Sequence, residues 1–359
     1  MFKLMSQIPL NYVGHSFSFP LTLPMSLTFS VTYQCNFRCK TCRIWEYRYG
    51  EKELDLTQIE RIFHSLGKSL YWITIGGGEP FLRKDLADIC DIIYRNCKPA
   101  IINIPSNGSL PEETIACVKR ILRLCPNANI IINLSLDHIG EKHDKIRNYP
   151  GSFELLLKTY HGLNSIKHPH LRLGINSVIS EYNIKDWKEI YSYCKGLMPS
   201  SHLFEIAQLR DEFRNRNLDN IVPQKESSIS LLRELSRINQ INTKRILGKC
   251  LRSIRKNYYA LIEKTISCGR QLIPCLAGIA SAYVLPDGKV WACCNNAWLM
   301  GDLQDHNFNF KKLWRSKSAQ DIRRRIKQNN CFCIQTNANY LNLLHSPFYF
   351  GKLIYDALF

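Results

Sequence analysis

Short apolar runs rich in β-branched and aromatic residues alternate along this chain with longer amphipathic stretches. The first run, 27–33, has the rough alternation of a buried strand. Further strands are predicted at 70–76, 100–105, 130–136, 171–179 and 202–208, with helices between them at 55–66, 85–95, 112–124, 152–164 and 186–196. Strands and helices that alternate through short connections form right-handed βαβ units around a parallel sheet. The pattern therefore predicts an α/β fold, a partial (β/α)6 barrel.

The pattern changes after residue 208. Residues 209–267 are basic and helix-forming, and a strongly basic run begins at Lys244-Arg245. An apolar stripe through Ile254, Tyr258 and Leu261 predicts an amphipathic helix whose cationic face is either solvated or meets an anionic partner. The chain is thus divided into an N-terminal extension 1–24, the barrel 25–208, the basic segment 209–267, a C-terminal part 268–345 and an aromatic tail 346–359.

Composition restricts the class of protein. The 359 residues are 45% hydrophobic and 22% charged, which predicts a folded core, and the net charge of +18 favours anionic partners. No apolar run approaches the roughly 18 residues that a membrane-spanning helix needs. The odd number of cysteines, 15, favours metal sites and buried thiols over disulfides. We therefore expect a cytoplasmic protein.

Two groups of cysteines carry the candidate chemistry. Cys35, Cys39 and Cys42 follow the first strand with the spacing Cys-x3-Cys-x2-Cys, at the strand end where barrel folds place their active sites. Three thiolates can hold a [4Fe-4S] cluster by three irons and leave the fourth iron open to chelate a small molecule. The second group lies near the C-terminus and contains Cys275, Cys293, Cys331 and Cys333. Zinc is the alternative for four thiolates, and Cys294 is an alternative to Cys293.

Glycine-rich motifs end the next two predicted strands. Gly76-Gly77-Gly78-Glu79-Pro80 follows the second strand, and Ser106-Asn107-Gly108 follows the third. Together with the cysteine spacing they resemble the radical S-adenosylmethionine (SAM) superfamily, whose members bind SAM at a three-cysteine cluster. The resemblance implies that Gly77, Gly78 and Glu79 receive the amino group of SAM and that Asn107 lies beside SAM. Glycine permits close backbone approach, and a carboxylate pairs well with an ammonium group.

The resemblance extends over two later stretches of the barrel. Ser135-Leu136-Asp137-His138 and His143-Asp144-x-x-Arg147 are similar to a stretch in the branch of the family that adds a C-terminal cluster domain. It implies that Ser135 and Arg147 hold the SAM carboxylate and that Asn176 contacts the ribose. One residue departs from the family pattern. Thr41 stands before the third cysteine, where the family often has an aromatic residue, and Phe37 or Trp45 is the candidate substitute.

The C-terminal cysteines resemble those of SPASM and twitch domains, which hold auxiliary iron-sulfur clusters. A Pro286-Asp287-Gly288 hairpin lies between Cys275 and Cys293, and Cys331-Phe332-Cys333 follows a basic helix at 317–328. Four thiolates suffice for one fully ligated cluster, so the shorter twitch form is the better match. The resemblance implies a small cluster-binding domain within 268–345.

The resemblance also implies the activity. A radical SAM enzyme reductively cleaves SAM to a 5'-deoxyadenosyl radical, which abstracts hydrogen from the substrate, and an auxiliary [4Fe-4S] cluster is then a candidate electron acceptor. We expect an anionic small substrate of the sugar, cyclitol, nucleotide or lipid-linked kind, with a peptide as the alternative, and a reductase, flavodoxin or ferredoxin as electron donor. A zinc-containing nucleic-acid-binding protein is the alternative from another class, although we do not expect a nucleic-acid partner. The sequence identifies no catalytic acid or base.

Overall fold

The fold is built on an open sheet, in which the described residues form nine strands. The computed structural model describes residues 2–47, 52–238, 246–328 and 331–358. Its strands lie in the order β6-β5-β4-β3-β2-β1-β7-β8-β9. They are β1 (Ser26–Thr32), β2 (Trp72–Gly77), β3 (Ile101–Ser106), β4 (Asn129–Ser135), β5 (Leu171–Ile179), β6 (Ser201–Ile206), β7 (Ser281–Val284), β8 (Lys289–Trp291) and β9 (Leu299–Asp302).

The described helices cover the parallel part of the sheet and both ends of the chain. They are α1 (Phe2–Ser16), α2 (Leu56–Leu66), α3 (Leu86–Cys97), α4 (Pro111–Leu124), α5 (Gly140–Arg147), α6 (Ser152–Asn164), α7 (Trp187–Leu197), α8 (Lys225–Arg237), α9 (Ile246–Cys268), α10 (Phe310–Trp314), α11 (Lys317–Gln328), α12 (Thr336–His345) and α13 (Pro347–Leu358). Among the helices described, none is both long and apolar enough to cross a bilayer.

The barrel prediction is confirmed. Strands β1 to β6 are all parallel to their neighbours, each lies within two residues of its predicted bounds, and the sheet stays open between β6 and β9. Leu27, Phe29 and Val31 share one face of β1 and are fully buried in the core. Helix α2 belongs to the connection between β1 and β2. Asp55 and Gln58 form a reciprocal capping box at its start, which satisfies two backbone donors.

The C-terminal strands extend the barrel sheet. β7 pairs in parallel with β1, with Ser26 opposite Ser281, and the predicted hairpin forms β7 and β8. Val284, Val290 and Trp314 belong to the same core cluster as the barrel strands. The sequence did not predict this pairing, which places the C-terminal cysteines in a region held directly against the first strand.

Helices fill the segments outside the barrel. Within the basic segment, α9 packs against α8 and buries Ile254, Tyr258 and Leu261, the predicted apolar stripe. Residues 239–245, which include Lys244 and Arg245, lie outside the described residues. Helix α13 packs along α9, so the aromatic tail lies on the body of the protein.

The carboxyl end of β2 lies unusually close to the loop after β1. The Gly78 N–H donates to the Thr32 carbonyl (2.9 Å), and the Glu79 N–H donates to the Gln34 carbonyl (2.8 Å). A Cβ on Gly78 would lie 1.9 Å from the Gln34 oxygen, and Gly77 has φ +124. Only glycine fits this approach, because any side chain would push the cysteine loop away from the sheet.

We predict that Gly78→Ala lowers the free energy of unfolding by about 2 kcal/mol or more, because the new methyl group overlaps backbone atoms. Gly196 in α7 is the matched control, since no atom lies within 4 Å of its added Cβ. Gly196→Ala should stabilise the protein by about 0.5 to 1 kcal/mol, the usual gain in a helix. Anaerobic urea unfolding measures both values. Equal stability of Gly78→Ala and the wild type would contradict the close approach.

Candidate functional site

Three thiols share the loop after β1. Cys35, Cys39 and Cys42 are all free and partly buried, and the Cys42 N–H donates to the Cys39 carbonyl (3.2 Å). Burial raises the pKa of Cys35 to about 12, and the neighbouring Cys39 thiol adds to the rise. Burial also raises the pKa of Cys42, as do Cys39 and Cys35. Thiols so close together become thiolates only when positive charge joins them, so this donor set fits an iron-sulfur cluster.

Arg147 at the end of α5 brings positive charge to these thiols. Its Nη1 lies 3.8 Å from the Cys39 Sγ, and its Nη2 donates to the Ser135 carbonyl (3.0 Å) and pairs with Asp137 (2.9 Å). Its Nε is buried without a hydrogen-bond partner among the described residues. The guanidinium therefore keeps a donor for a further group beside the cysteine loop.

The Glu79 carboxylate joins the ends of β2 and β3. It accepts hydrogen bonds from the Asn107 N–H (2.7 Å), the Ser106 hydroxyl (2.9 Å) and the Phe81 N–H (3.2 Å). Burial raises the pKa of Glu79 to about 7, against the lowering effect of these donors. Protein donors thus engage the carboxylate in three hydrogen bonds, and its contact with the SAM amino group stays a prediction.

Asn107 connects the third strand to the cysteine loop. Its Nδ2 donates to the Asn36 Oδ1 (2.9 Å), and the Asn36 Nδ2 donates to the Ser109 hydroxyl (2.8 Å). Asn36 lies between the first two cluster cysteines in sequence. The predicted SAM contact at Asn107 therefore lies against the loop that carries the thiols.

Ser135 is the last residue of β4, and Asn176 lies in β5, three residues before the strand ends. They lie opposite each other in the β4–β5 pairing, and both are half-buried. The Ser135 carbonyl accepts from Arg147, so this pair lies next to the guanidinium. The structure thus brings the predicted residues to the same edge of the sheet as the cysteine loop. They are Gly77, Gly78, Glu79, Asn107, Ser135, Arg147 and Asn176.

The two candidates for the missing aromatic residue differ in their surroundings. Phe37 is 1% exposed and stacks on Tyr149 with the ring centroids 4.5 Å apart. Trp45 is half-buried, donates from Nε1 to the Cys42 carbonyl (3.1 Å) and lies under the Arg38 guanidinium. Trp45 therefore keeps exposed ring surface beside the third cysteine, whereas Phe37 is part of the packed interior.

The C-terminal thiols also converge. Burial raises the pKa of Cys275 to about 12, and the nearby Cys333, Cys293 and Cys331 add to the rise. Cys293 is partly buried, whereas Cys294 is 4% exposed and packs in an apolar cluster with Tyr283 and Trp291. Four thiols that lie together fit an auxiliary cluster, and the apolar packing of Cys294 favours Cys293 as the fourth ligand.

One segment that the sequence patterns did not indicate contacts both cysteine-bearing loops. We call residues 210–216, which follow β6, the bridge segment. The Arg43 N–H donates to its Phe213 carbonyl (2.8 Å), and the Glu212 N–H donates to the Cys294 carbonyl (3.2 Å). The Asn215 Nδ2 donates to the Thr41 carbonyl (2.8 Å). The only signal in the sequence is the acidic pair Asp211-Glu212 among arginines.

Buried charges of the bridge segment lie between the two groups of thiols. The Glu212 carboxylate accepts from the Tyr283 hydroxyl (2.9 Å) and pairs with the Arg210 guanidinium at 3.4 Å. The negative charge of Glu212 raises the pKa of both Cys42 and Cys294, although burial is the larger cause for each thiol. A single carboxylate is therefore close enough to act electrostatically on both cysteine loops.

Two family descriptions match the chain. The radical SAM superfamily matches residues 29–194, and an iron-sulfur cluster-binding domain matches residues 275–335. The Fe-coproporphyrin III synthase of Methanosarcina barkeri is 29% identical over 119 residues, which cover 33% of this chain and 27% of that protein. The AdoMet-dependent heme synthase of Oleidesulfovibrio alaskensis is 22% identical over 259 residues, 68% of this chain and 61% of that protein. The chain spans less than two thirds of either relative.

Solved structures share the fold. Streptococcus suis SuiB bound to S-adenosylmethionine superposes with a TM-score of 0.60 and 13% identity, over 91% of this chain and 76% of that one. The enzyme anSMEcpe with bound AdoMet and Kp18Cys peptide also gives a TM-score of 0.60, with 15% identity over 93% of this chain and 99% of that one. The overlap with both extends over the barrel and the C-terminal region.

The matched families and the two groups of thiols agree. The first family binds a [4Fe-4S] cluster and SAM, and the second binds auxiliary iron-sulfur clusters, which confirms the cofactors predicted from the cysteine patterns. The chain therefore contains a radical SAM domain over residues 29–194 and an iron-sulfur cluster-binding domain over residues 275–335, as the resemblance of its cysteine patterns predicted.

Proposed function

We propose that this enzyme cleaves SAM reductively at the thiol loop and abstracts a hydrogen atom from an anionic small molecule. One observation carries the proposal. Three thiols lie on the loop after β1, and the Arg147 guanidinium lies 3.8 Å from one of them, at the edge of the sheet where β2 to β5 also end. The three sulfur ligands suit an iron-sulfur cluster with one open iron. The cationic donor beside them suits the carboxylate of SAM.

Cys35, Cys39 and Cys42 would hold the cluster. With SAM bound, that cluster supplies the 5'-deoxyadenosyl radical. Arg147 would bind the SAM carboxylate through its free Nε, with the Ser135 hydroxyl beside it. The Glu79 carboxylate has its own protein donors, so it would mainly fix the β2 end while the backbone of Gly77 and Gly78 receives the amino group.

The remaining predicted contacts would orient the nucleoside. Asn107 would lie beside SAM and hold the cysteine loop through Asn36, and Asn176, opposite Ser135 in β5, would contact the ribose. The close approach of Gly78 to Gln34 leaves no room for water between the loop and the sheet at that point. These residues would therefore position the cofactor and shield it from solvent.

The substrate class follows from charge and from the relatives. The net charge of +18 favours an anionic substrate. Two relatives, by their names, make Fe-coproporphyrin III and heme, which are small molecules. We infer a small anionic substrate that enters over the carboxyl ends of the strands. The four C-terminal thiols would hold one auxiliary cluster that accepts an electron. The free thiols suit a reducing compartment such as the cytoplasm.

A peptide is the second candidate substrate. Two solved structures with this fold contain peptides, namely SuiB bound to precursor peptide SuiA (TM-score 0.57) and anSMEcpe with the Kp18Cys peptide. They cover 94% and 93% of this chain, so a protein with this fold can bind a peptide. Incubation of the reduced enzyme with SAM and candidate substrates distinguishes the two classes by the molecule that loses hydrogen.

We predict that Cys35→Ala, Cys39→Ala and Cys42→Ala each abolish the formation of 5'-deoxyadenosine after dithionite reduction, because each removes a ligand of the SAM-binding cluster. Cys268→Ala is the control, since Cys268 is an exposed thiol that belongs to neither group. Chromatography of the products and iron analysis provide the measurements. Wild-type turnover in any of the three variants would refute the assignment, and so would a protein that contains only zinc.

We predict that Cys293→Ala lowers the iron content from about eight to about four atoms per chain, because a four-thiolate cluster loses a ligand. Cys294→Ala should keep about eight atoms, because the Cys294 thiol packs in the apolar cluster instead. Iron analysis and electron paramagnetic resonance of the anaerobically reconstituted variants check both numbers. Iron loss in Cys294→Ala with full iron in Cys293→Ala would reverse the choice of ligand.

A further inference from the structure

We propose that an acidic protein that carries single electrons docks on the exposed face of α10 and α11 and delivers electrons at the C-terminal thiols. The inference rests on the proposed function, which requires an electron from outside the chain. Residues 311–327 contain one acidic residue, Asp321, which pairs with Arg324 at 3.1 Å. We call their exposed cations the basic surface. They are Lys311, Lys312, Arg315, Lys317, Arg324, Arg325 and Lys327.

Helix α11 holds the basic surface rigidly on the body. Arg323, 2% exposed, donates to the Gly278 carbonyl (2.5 Å) and to the Trp314 carbonyl (2.7 Å). The Ser318 hydroxyl donates to the Met300 carbonyl (2.7 Å) in β9. The cations therefore project from a fixed helix, where their potentials add and steer an oppositely charged protein.

A stacked pair connects the basic surface to the auxiliary thiols. The Arg325 guanidinium lies over the Trp298 ring, 5.0 Å from its centroid. The Trp298 carbonyl accepts a hydrogen bond (2.9 Å) from the N–H of Ala292, the residue before Cys293. One residue thus contacts both a cation of the basic surface and the backbone beside a cysteine of the auxiliary group.

The auxiliary group also approaches the protein surface at this place. Cys331 follows the end of α11 by three residues and is only partly buried. Electron transfer between proteins uses small, weak contacts, below about 1,200 Å² of total buried surface, and a two-helix face suffices for that area. The basic surface therefore lies next to the partly exposed Cys331 thiol. This proximity favours a redox protein over a nucleic acid or a lipid surface as the partner. The carrier would lose one electron to the auxiliary cluster, which would pass it on to the SAM-binding cluster. The auxiliary cluster would then be oxidised again and able to accept an electron from the substrate, and no group is transferred.

The double variant Lys317→Glu/Arg324→Glu, called the α11 variant, tests the proposal. The double variant Lys119→Glu/Arg123→Glu on the exposed face of α4 is the control, because it changes the net charge by the same amount. Binding of oxidised flavodoxin to each protein is measured by calorimetry at low salt and at about 0.15 M ionic strength. We expect the α11 variant to bind about tenfold more weakly and the control to bind like the wild type, with salt weakening the wild-type complex.

Cleavage of SAM is then driven either by reduced flavodoxin or by dithionite, which needs no docking site. The α11 variant should lose about tenfold of the flavodoxin-driven rate and keep the dithionite-driven rate. Equal flavodoxin binding by the two variants would overturn the proposal, as would an equal loss of rate with both reductants. Binding of RNA or anionic vesicles without flavodoxin binding would also overturn it. Absence of dithionite-driven cleavage in the wild type would refute the proposed function instead, while the calorimetry still decides the docking.

Discussion

The contact between the carboxyl end of β2 and the cysteine loop is the constraint on which the rest of the site depends. Gly78 approaches Gln34 so closely that no side chain fits, and Glu79 then joins β2 to β3 through three hydrogen bonds. Desolvation of the Glu79 carboxyl is unfavourable, and these donors offset part of that cost. A junction that buries a carboxyl group at a partly offset cost is expected where function, and not stability, selects the residues.

A second constraint fixes the positions of the two thiol groups relative to each other. β7 pairs with β1, and the bridge segment donates to or accepts from both cysteine loops through Glu212, Phe213 and Asn215. The C-terminal region is therefore part of the barrel sheet and not a tethered module. This arrangement suits chemistry in which a substrate lies between a radical source and an electron acceptor, because neither site moves independently of the other.

The sequence predicted the local parts of this structure well. Six apolar runs gave the parallel strands, and cysteine spacing with glycine motifs located the candidate site at their carboxyl ends. The pairing of β7 with β1 could not be predicted, because a four-residue strand carries no mark of a partner about 250 residues earlier. Cys293 and Cys294 are adjacent in the chain, so spacing cannot separate them, and only the structure shows that Cys294 is the more deeply buried. Helix α1 was not predicted, because Pro9 interrupts its apolar pattern. The helix nevertheless contacts the body of the protein, since the Asn11 Nδ2 lies 3.2 Å from the His345 Nε2.

The central claim is that one iron at the Cys35, Cys39 and Cys42 loop lacks a protein ligand and chelates SAM. Electron–nuclear double resonance of the reduced enzyme with SAM labelled by ¹⁵N at the amino group and ¹⁷O at the carboxylate tests it most directly. Hyperfine coupling from both labels is expected in the wild type. An iron-loaded enzyme whose cluster shows coupling to neither label would contradict it.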